Sequence, residues 1–193
     1  VMNSRMPGGK GEKRGSDEKD HAGWGIGITA GAIRRDVQLM KEAGFNFIRG
    51  SHYPHHPALA RACDELGLLM WSENCFWGKG GFGPEGYWNA SAYPINPEDF
   101  EAFEESCKQT LREMIRENRN SPSIVAWSLT NEAFFTYNLD RARSLMRDLV
   151  TLCHELDPTR PAAIGGAQRG DIDKIGDIAG YNGERAAIID PGV

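Results

Sequence analysis
The feature that most constrains this chain is an alternation: short apolar runs that end in polar side chains, separated by amphipathic stretches of helical period. Residues 121–135, SPSIVAWSLTNEAFF, show it most sharply, because the apolar run from Ile124 to Trp127 gives way within a few residues to Thr130, Asn131 and Glu132. Around it, residues 30–43 place Ile33, Val37, Met40 and Ala43 on one helical face, with Thr29 as N-cap and Gly44 as stop. A second helix is expected from Pro57, carrying Leu59, Cys63 and Leu66 inward and ending at Gly67. A third is opened by Asn96, Pro97, Glu98 and Asp99 and runs to about Asn118, and a fourth spans about Asp140 to Leu156. The strands between them are read at FNFIR, LLMWSEN, SIVAWSL, PAAIGG and DIAGYN.

Strands alternating with helices imply parallel βαβ units, which a doubly wound sheet and a (β/α)8 barrel both supply. The polar residues choose between them. Arg49, Ser51 and His52 follow the first strand, Glu73 and Asn74 the second, Asn131 and Glu132 the third, and Tyr181 and Asn182 the fifth. A site assembled from the ends of many strands is barrel logic, and no GxGxxG follows any strand as a doubly wound nucleotide fold would require.

Charge and cysteine content narrow the partners. A formal charge of −5 argues against a nucleic-acid partner, for which a basic face would be expected, and no run approaches the roughly 20 apolar residues of a membrane span. Cys63, Cys75, Cys107 and Cys153 form no CxxC pair and no metal spacing, so they read as isolated thiols in a reducing compartment. The expected location is cytoplasmic, since residues 1–25 lack the apolar centre of a signal peptide and read as a flexible charged lead. The histidines of HYPHH show no carboxylate–histidine spacing of a metal site, so neither metal nor cofactor is expected.

The segments DVQLMKEAGFNFIRGSHYPHHPALARACDELGLLMWSENCFWG and NRNSPSIVAWSLTNEA resemble the catalytic barrel of glycoside hydrolase family 2, from about Asp20 to Gly192. The resemblance implies a (β/α)8 barrel and a retaining exo-β-glycosidase, with β-galactosidase the favoured member and a β-galactoside or related oligosaccharide as substrate. It implies that Glu132 is the general acid/base and that Asn131 contacts the sugar 2-hydroxyl. Arg49 would sit beside the nucleophile, His52 would line the sugar pocket and Tyr181 would hydrogen-bond the nucleophile. Trp127 and Glu73 stand in matching motifs as further substrate-binding candidates, and the aromatic residues Phe76, Trp77, Phe82, Tyr87, Trp88 and Tyr93 would form a sugar-stacking wall. His55 and His56 read as helix-entry residues.

These residue types suit the chemistry. Retaining hydrolysis needs one carboxylic acid to protonate the leaving oxygen and a second carboxylate, about 5 to 5.5 Å away, to attack the anomeric carbon. Glu132 can be only one of them. Relative to the family, the nucleophile strand would fall beyond Val193, and a barrel normally takes about 250 residues against the 193 here. The expectation is therefore an incomplete barrel over residues 26–193, with strands two to six present, strand one degenerate and strands seven and eight absent. Such a chain would depend on the remaining domains of a longer protein, with a homo-oligomer as a further option, and would be inactive alone. A non-catalytic carbohydrate-binding or degenerate barrel fragment is the alternative, and a plain capping role is the alternative for Glu132.

Overall fold
A computed structural model describes residues 29–77 and 92–181. The charged lead, any first strand within it, Phe82, Tyr87, Trp88 and Asn182 lie outside those residues. Within them the elements follow the sequence pattern: α1 (Ala30–Glu42), β1 (Phe47–Gly50), α2 (Ala58–Leu66), β2 (Leu69–Glu73), α3 (Phe100–Asn118), β3 (Ile124–Asn131), α4 (Leu139–Leu156), β4 (Ala162–Gly165) and β5 (Ile178–Ala179). The strands form one sheet in the order β1-β2-β3-β4-β5, and every neighbouring pair is parallel. This is the architecture of a (β/α)8 barrel over part of its circumference, with sequential strands adjacent and the C-terminal strand ends gathered along one edge.

Local chemistry accounts for most boundaries. The Thr29 hydroxyl accepts from the Ala32 N–H at 3.3 Å and starts α1, while Gly44 and Gly67 turn the chain at φ 85° and 71° after α1 and α2. Ala43 is the C-cap of α1 and is exposed, so the buried face consists of Ile33 and Val37, with Met40 packed beside them. The start of α3 differs from expectation. Residues Pro97–Asp99 form a 3-10 turn, and the Asn96 side chain reaches Asp99 Oδ2 at 3.4 Å instead of capping a backbone N–H. Strand β3 runs beyond SIVAWSL to Asn131, and β5 is only two residues long.

The core lies between the sheet and the helices, where α1 packs on α2 and α3 on α4. Leu111, Ile115, Leu145, Leu149 and Cys153 are all 2% exposed or less. Each large aliphatic buried in this way contributes about 1.5–3 kcal/mol. All four cysteines are free, and Cys63, Cys107 and Cys153 are buried. No described helix is long and apolar enough to cross a membrane.

Trp127 belongs to this core and not to a sugar site. It is 0% exposed; its Nε1–H donates to Asp157 Oδ2 at 3.0 Å, and the Arg160 guanidinium lies 5.5 Å from its ring centre. Asp157 also accepts from Arg160 at 2.6 Å and from the Thr159 backbone at 3.0 Å. Burial would push the Asp157 carboxyl up, but these donors outweigh it and hold it well below the usual carboxylate range. A ligand has nothing of Trp127 to touch. The indole instead joins β3 to the turn after α4, as its strand position predicts for a side chain on the helix-covered face.

Urea unfolding should therefore separate the two contributions of Trp127. Trp127→Ala should cost about 3–5 kcal/mol through the cavity it leaves. Trp127→Phe should cost about 1–2 kcal/mol, the value of leaving a buried acceptor short of a donor. A Trp127→Phe variant as stable as the parent would contradict the role assigned to the Asp157 bond.

Candidate active site
Because all four strand pairings are parallel, the polar ends of β1, β2 and β3 meet at one edge of the sheet. At the centre of that edge is Glu73, the last residue of β2, which is 0% exposed. An ionised carboxylate in such a place needs donors on both oxygens. Glu73 Oε2 accepts from Arg49 Nε and Nη2 at 3.1 and 2.8 Å, from Trp71 Nε1 at 3.1 Å and from Ser128 Oγ at 2.8 Å. Its Oε1 lies 2.7 Å from His52 Nδ1. Burial would raise the Glu73 carboxyl, yet the His52 hydrogen bond and the Arg49 charge outweigh it, and its pKa lies below the ordinary carboxylate value.

This geometry corrects the expectation for Glu73. A carboxylate shielded from solvent and surrounded by its own protein's donors does not contact a ligand; it orients the groups that could. Arg49 is one such group. Its Nη2 also donates to Asn131 Oδ1 at 2.7 Å, so the guanidinium bridges the ends of β2 and β3 while its side chain keeps 25% of its surface. Since an arginine only donates, the Asn131 oxygen must face it, and the Asn131 Nδ2 is turned the other way.

Asn131 reaches this position through an irregularity in the sheet. The register between β3 and β4 shifts between Ser128 and Asn131, a device that re-aims side chains at strand ends. Ser128 can thus face Glu73 and Asn131 can face Arg49 although their spacing would otherwise place them on opposite faces.

His52 follows β1, after a cis peptide bond between Ser51 and His52. The acceptor at Nδ1 is a carboxylate, so that nitrogen carries a proton and the imidazole is held with Nε2 pointing away from Glu73. The ring stacks on Trp77, with centroids 5.0 Å apart and planes inclined by 10°. Of the expected aromatic wall, Trp77 is the described member at the site. Phe76 and Tyr93 are 0% and 1% exposed and pack edge-on against Phe103, so they belong to the core. His56 caps α2 by accepting from the Ala58 N–H at 3.1 Å, and His55 lies against Ser51 O at 3.3 Å with burial lowering its pKa.

Glu132 is the first residue past β3. Its φ is 49°, in the left-handed region that a residue with a side chain enters at a cost of about 1–2 kcal/mol. Its N–H donates to Gly165 O at 3.0 Å, and its own carbonyl accepts from the Phe135 N–H at 3.1 Å, so the turn is held from both sides. The next helix starts only at Leu139, which removes the capping alternative. The side chain is half-buried, next in sequence to the Arg49-bound Asn131. Tyr181 stands apart from these residues. Its hydroxyl is 3.4 Å from Asp173 Oδ2, on the connection between β4 and β5, and does not join the Glu73 network.

Sequence reasoning missed Ser128 and Trp71 as partners of Glu73. A small hydroxyl inside the apolar run of β3 is the one local sign of the first; the second is a same-face pair two residues apart on β2, which strand alternation could have found.

Comparison with known proteins gives the geometry a context. A model of glycosyl hydrolases family 2, TIM barrel domain, matches residues 13–180. A putative beta-glucuronidase of Formosa agariphila is 37% identical over 152 residues, 76% of this chain and 16% of its own length. Beta-galactosidase 2 of Enterobacter cloacae is 36% identical over 145 residues, 74% of this chain and 12% of its own. Among solved structures, apo Bacteroides uniformis beta-glucuronidase 3 has a TM-score of 0.70 and 34% identity, over 88% of this chain and 20% of that one. B. uniformis beta-glucuronidase 2 covalently bound to cyclophellitol-6-carboxylate aziridine has a TM-score of 0.69 and 33% identity, with the same coverage. The chain thus spans about a fifth or less of the length of these relatives.

Replacing the hub's charge is the direct test of its role. Glu73→Gln keeps the shape but leaves Arg49 without its carboxylate, which should cost about 3–5 kcal/mol in urea unfolding at neutral pH. Because the folded-state pKa is lowered, the contribution of Glu73 is fully present above the unfolded value near pH 4.3 and is lost as pH falls from there through the folded value. The variant's stability should fall less steeply with acid over that window than the parent's. A variant as stable as the parent, with the same acid slope, would contradict the hub.

Proposed function
The chain belongs to glycosyl hydrolases family 2, and on that premise we propose that the complete protein is a retaining exo-β-glycosidase in which Glu132 is the general acid/base. The observation that carries this reading is the gathering of Arg49, His52, Asn131 and the turn at Glu132 along one edge of the parallel sheet, around a carboxylate that none of them has to share with solvent.

Each residue then has a task that its contacts support. Glu132 protonates the departing glycosidic oxygen and later takes a proton from the attacking water. Asn131, which is 1% exposed, holds the Arg49 guanidinium through its oxygen directly beside Glu132. Arg49 spends Nε and Nη2 on Glu73 and Asn131, and its Nη1 is the group suited to keep a second carboxylate ionised. That carboxylate, the nucleophile, is expected from outside the described residues. His52, backed by Glu73 and stacked on Trp77, offers Nε2 to a sugar hydroxyl and a flat aromatic neighbour to the ring. The covalent adduct reported for a structural neighbour supports the retaining mechanism, because such a bond requires a nucleophilic side chain.

The sugar is a finer matter. The sequence motifs lean towards β-galactosides, whereas the first relatives are named beta-glucuronidases and one neighbour holds a 6-carboxylate compound. We take a β-glucuronide as the preferred substrate and a β-galactoside as its competitor.

The test uses aryl β-glucuronides and β-galactosides with the full-length protein. Glu132→Ala should lower kcat/KM by about 10²- to 10⁴-fold on substrates with poor leaving groups, which need the acid. The loss should be much smaller on activated ones. Unchanged rates on poor leaving groups would rule out the assignment, and higher kcat/KM on the galactosides would reverse the order of sugars.

A further inference from the structure
Gly165 ends β4, opposite Asn131 in the register of β3 and β4, and it is buried. Two observations meet there. Its carbonyl accepts the Glu132 N–H at 3.0 Å. A Cβ placed on it would lie 2.7 Å from Thr130 O, 2.8 Å from Arg49 Nη2 and 2.9 Å from Glu73 Oε2. Its φ lies outside the left-handed region, unlike those of Gly166 and Gly170, so the requirement is for space and not for backbone freedom.

All three of those atoms belong to the site. Thr130 O is a backbone atom of β3 directly before Asn131 and Glu132, and it cannot swing aside as the end of a flexible side chain would. Arg49 Nη2 and Glu73 Oε2 are the two partners of the buried ion pair, 2.8 Å apart. We propose that Gly165 is a positioning residue: its missing side chain lets the Arg49–Glu73 pair lie flush against β4 while its carbonyl holds the turn that presents Glu132. One backbone position thus sets the distance between the acid/base and the guanidinium. A methyl group there would have to displace the strand carrying Glu132, the ion pair, or both. This inference rests on the catalytic reading of Glu132.

Gly176 supplies a matched control. A Cβ there would lie 2.8 Å from Ala162 O and 3.0 Å from Ile164 Cγ1, likewise a collision with a backbone oxygen of the sheet. Ala162 is the first residue of β4, at the end of the sheet away from the site. In the full-length protein, Gly165→Ala and Gly176→Ala should both lower the thermal midpoint. Only Gly165→Ala should lower kcat on aryl glycosides, by roughly 100-fold, as expected for a displacement of about 1 Å at a reacting group, with KM changed far less. A Gly165→Ala enzyme within twofold of the parent, or equal kcat losses in the two variants, would overturn the proposal.

Failure of the Glu132 assignment would be seen separately, as an active Glu132→Ala enzyme with the glycine intact. If Gly165→Ala is too unstable to assay at the usual temperature, both glycine variants are compared with the parent at a temperature well below their midpoints, where each is folded by circular dichroism. There Gly165→Ala should still show the larger loss of kcat, and equal kcat losses in the two folded variants would count against the proposal.

Discussion
The arrangement depends on one buried charge. Placing an ionised carboxylate at the end of a central strand, out of reach of water, costs several kcal/mol unless donors surround it. Glu73 is surrounded: Arg49, His52, Trp71 and Ser128 converge on its two oxygens from β1, the segment after β1, β2 itself and β3. The same bonds that make the charge tolerable remove the rotational freedom of the side chains lining the edge. Arg49 and His52 are oriented before any ligand arrives, and Asn131 is oriented through Arg49. Preorganisation of this kind is how a polar site avoids reorganising during reaction.

A second constraint acts on the backbone. The register shift in β3 between Ser128 and Asn131, followed at once by the left-handed turn at Glu132, lets one strand supply a partner to the hub, a partner to the guanidinium and a carboxylate beyond both. The flanking hydrogen bonds to Gly165 and from Phe135 compensate for the unfavourable φ. Lower in the same strand, Trp127 serves the opposite layer, where Asp157 and Arg160 fasten the end of α4 to the sheet. β3 therefore ties the helical layer to the site within eight residues.

What is legible in the sequence follows from how local each cause is. The helices are legible because Thr29 caps its own helix and Gly44 and Gly67 stop theirs, all within a turn of where they act. The parallel strands and the polar edge are legible because each run ends in its own polar residues. Trp127 is not, because a motif places it near Glu132 in sequence while the alternation of the strand turns it to the other face. Glu73 is only half legible: its place at the edge is plain, but its burial depends on three other segments arriving around it. Ser128 and the space above Gly165 are set by cross-strand register and by a bulge, which a linear reading does not contain, whereas Trp71 meets Glu73 as its i+2 neighbour on β2. Tyr181 is placed by the connection between β4 and β5, where its hydroxyl meets Asp173.

On the proposed function, this frame presents Glu132 as a proton donor and acceptor. The most direct measurement is the product formed by the full-length Glu132→Ala enzyme on an activated aryl β-glycoside with added azide. With the acid/base removed and its space open, azide should attack the glycosyl intermediate without needing a base, raise the turnover rate, and yield the β-glycosyl azide, identifiable by the coupling constant of its anomeric proton. Turnover unaffected by azide with only free sugar as product, or an α-glycosyl azide, would contradict the account.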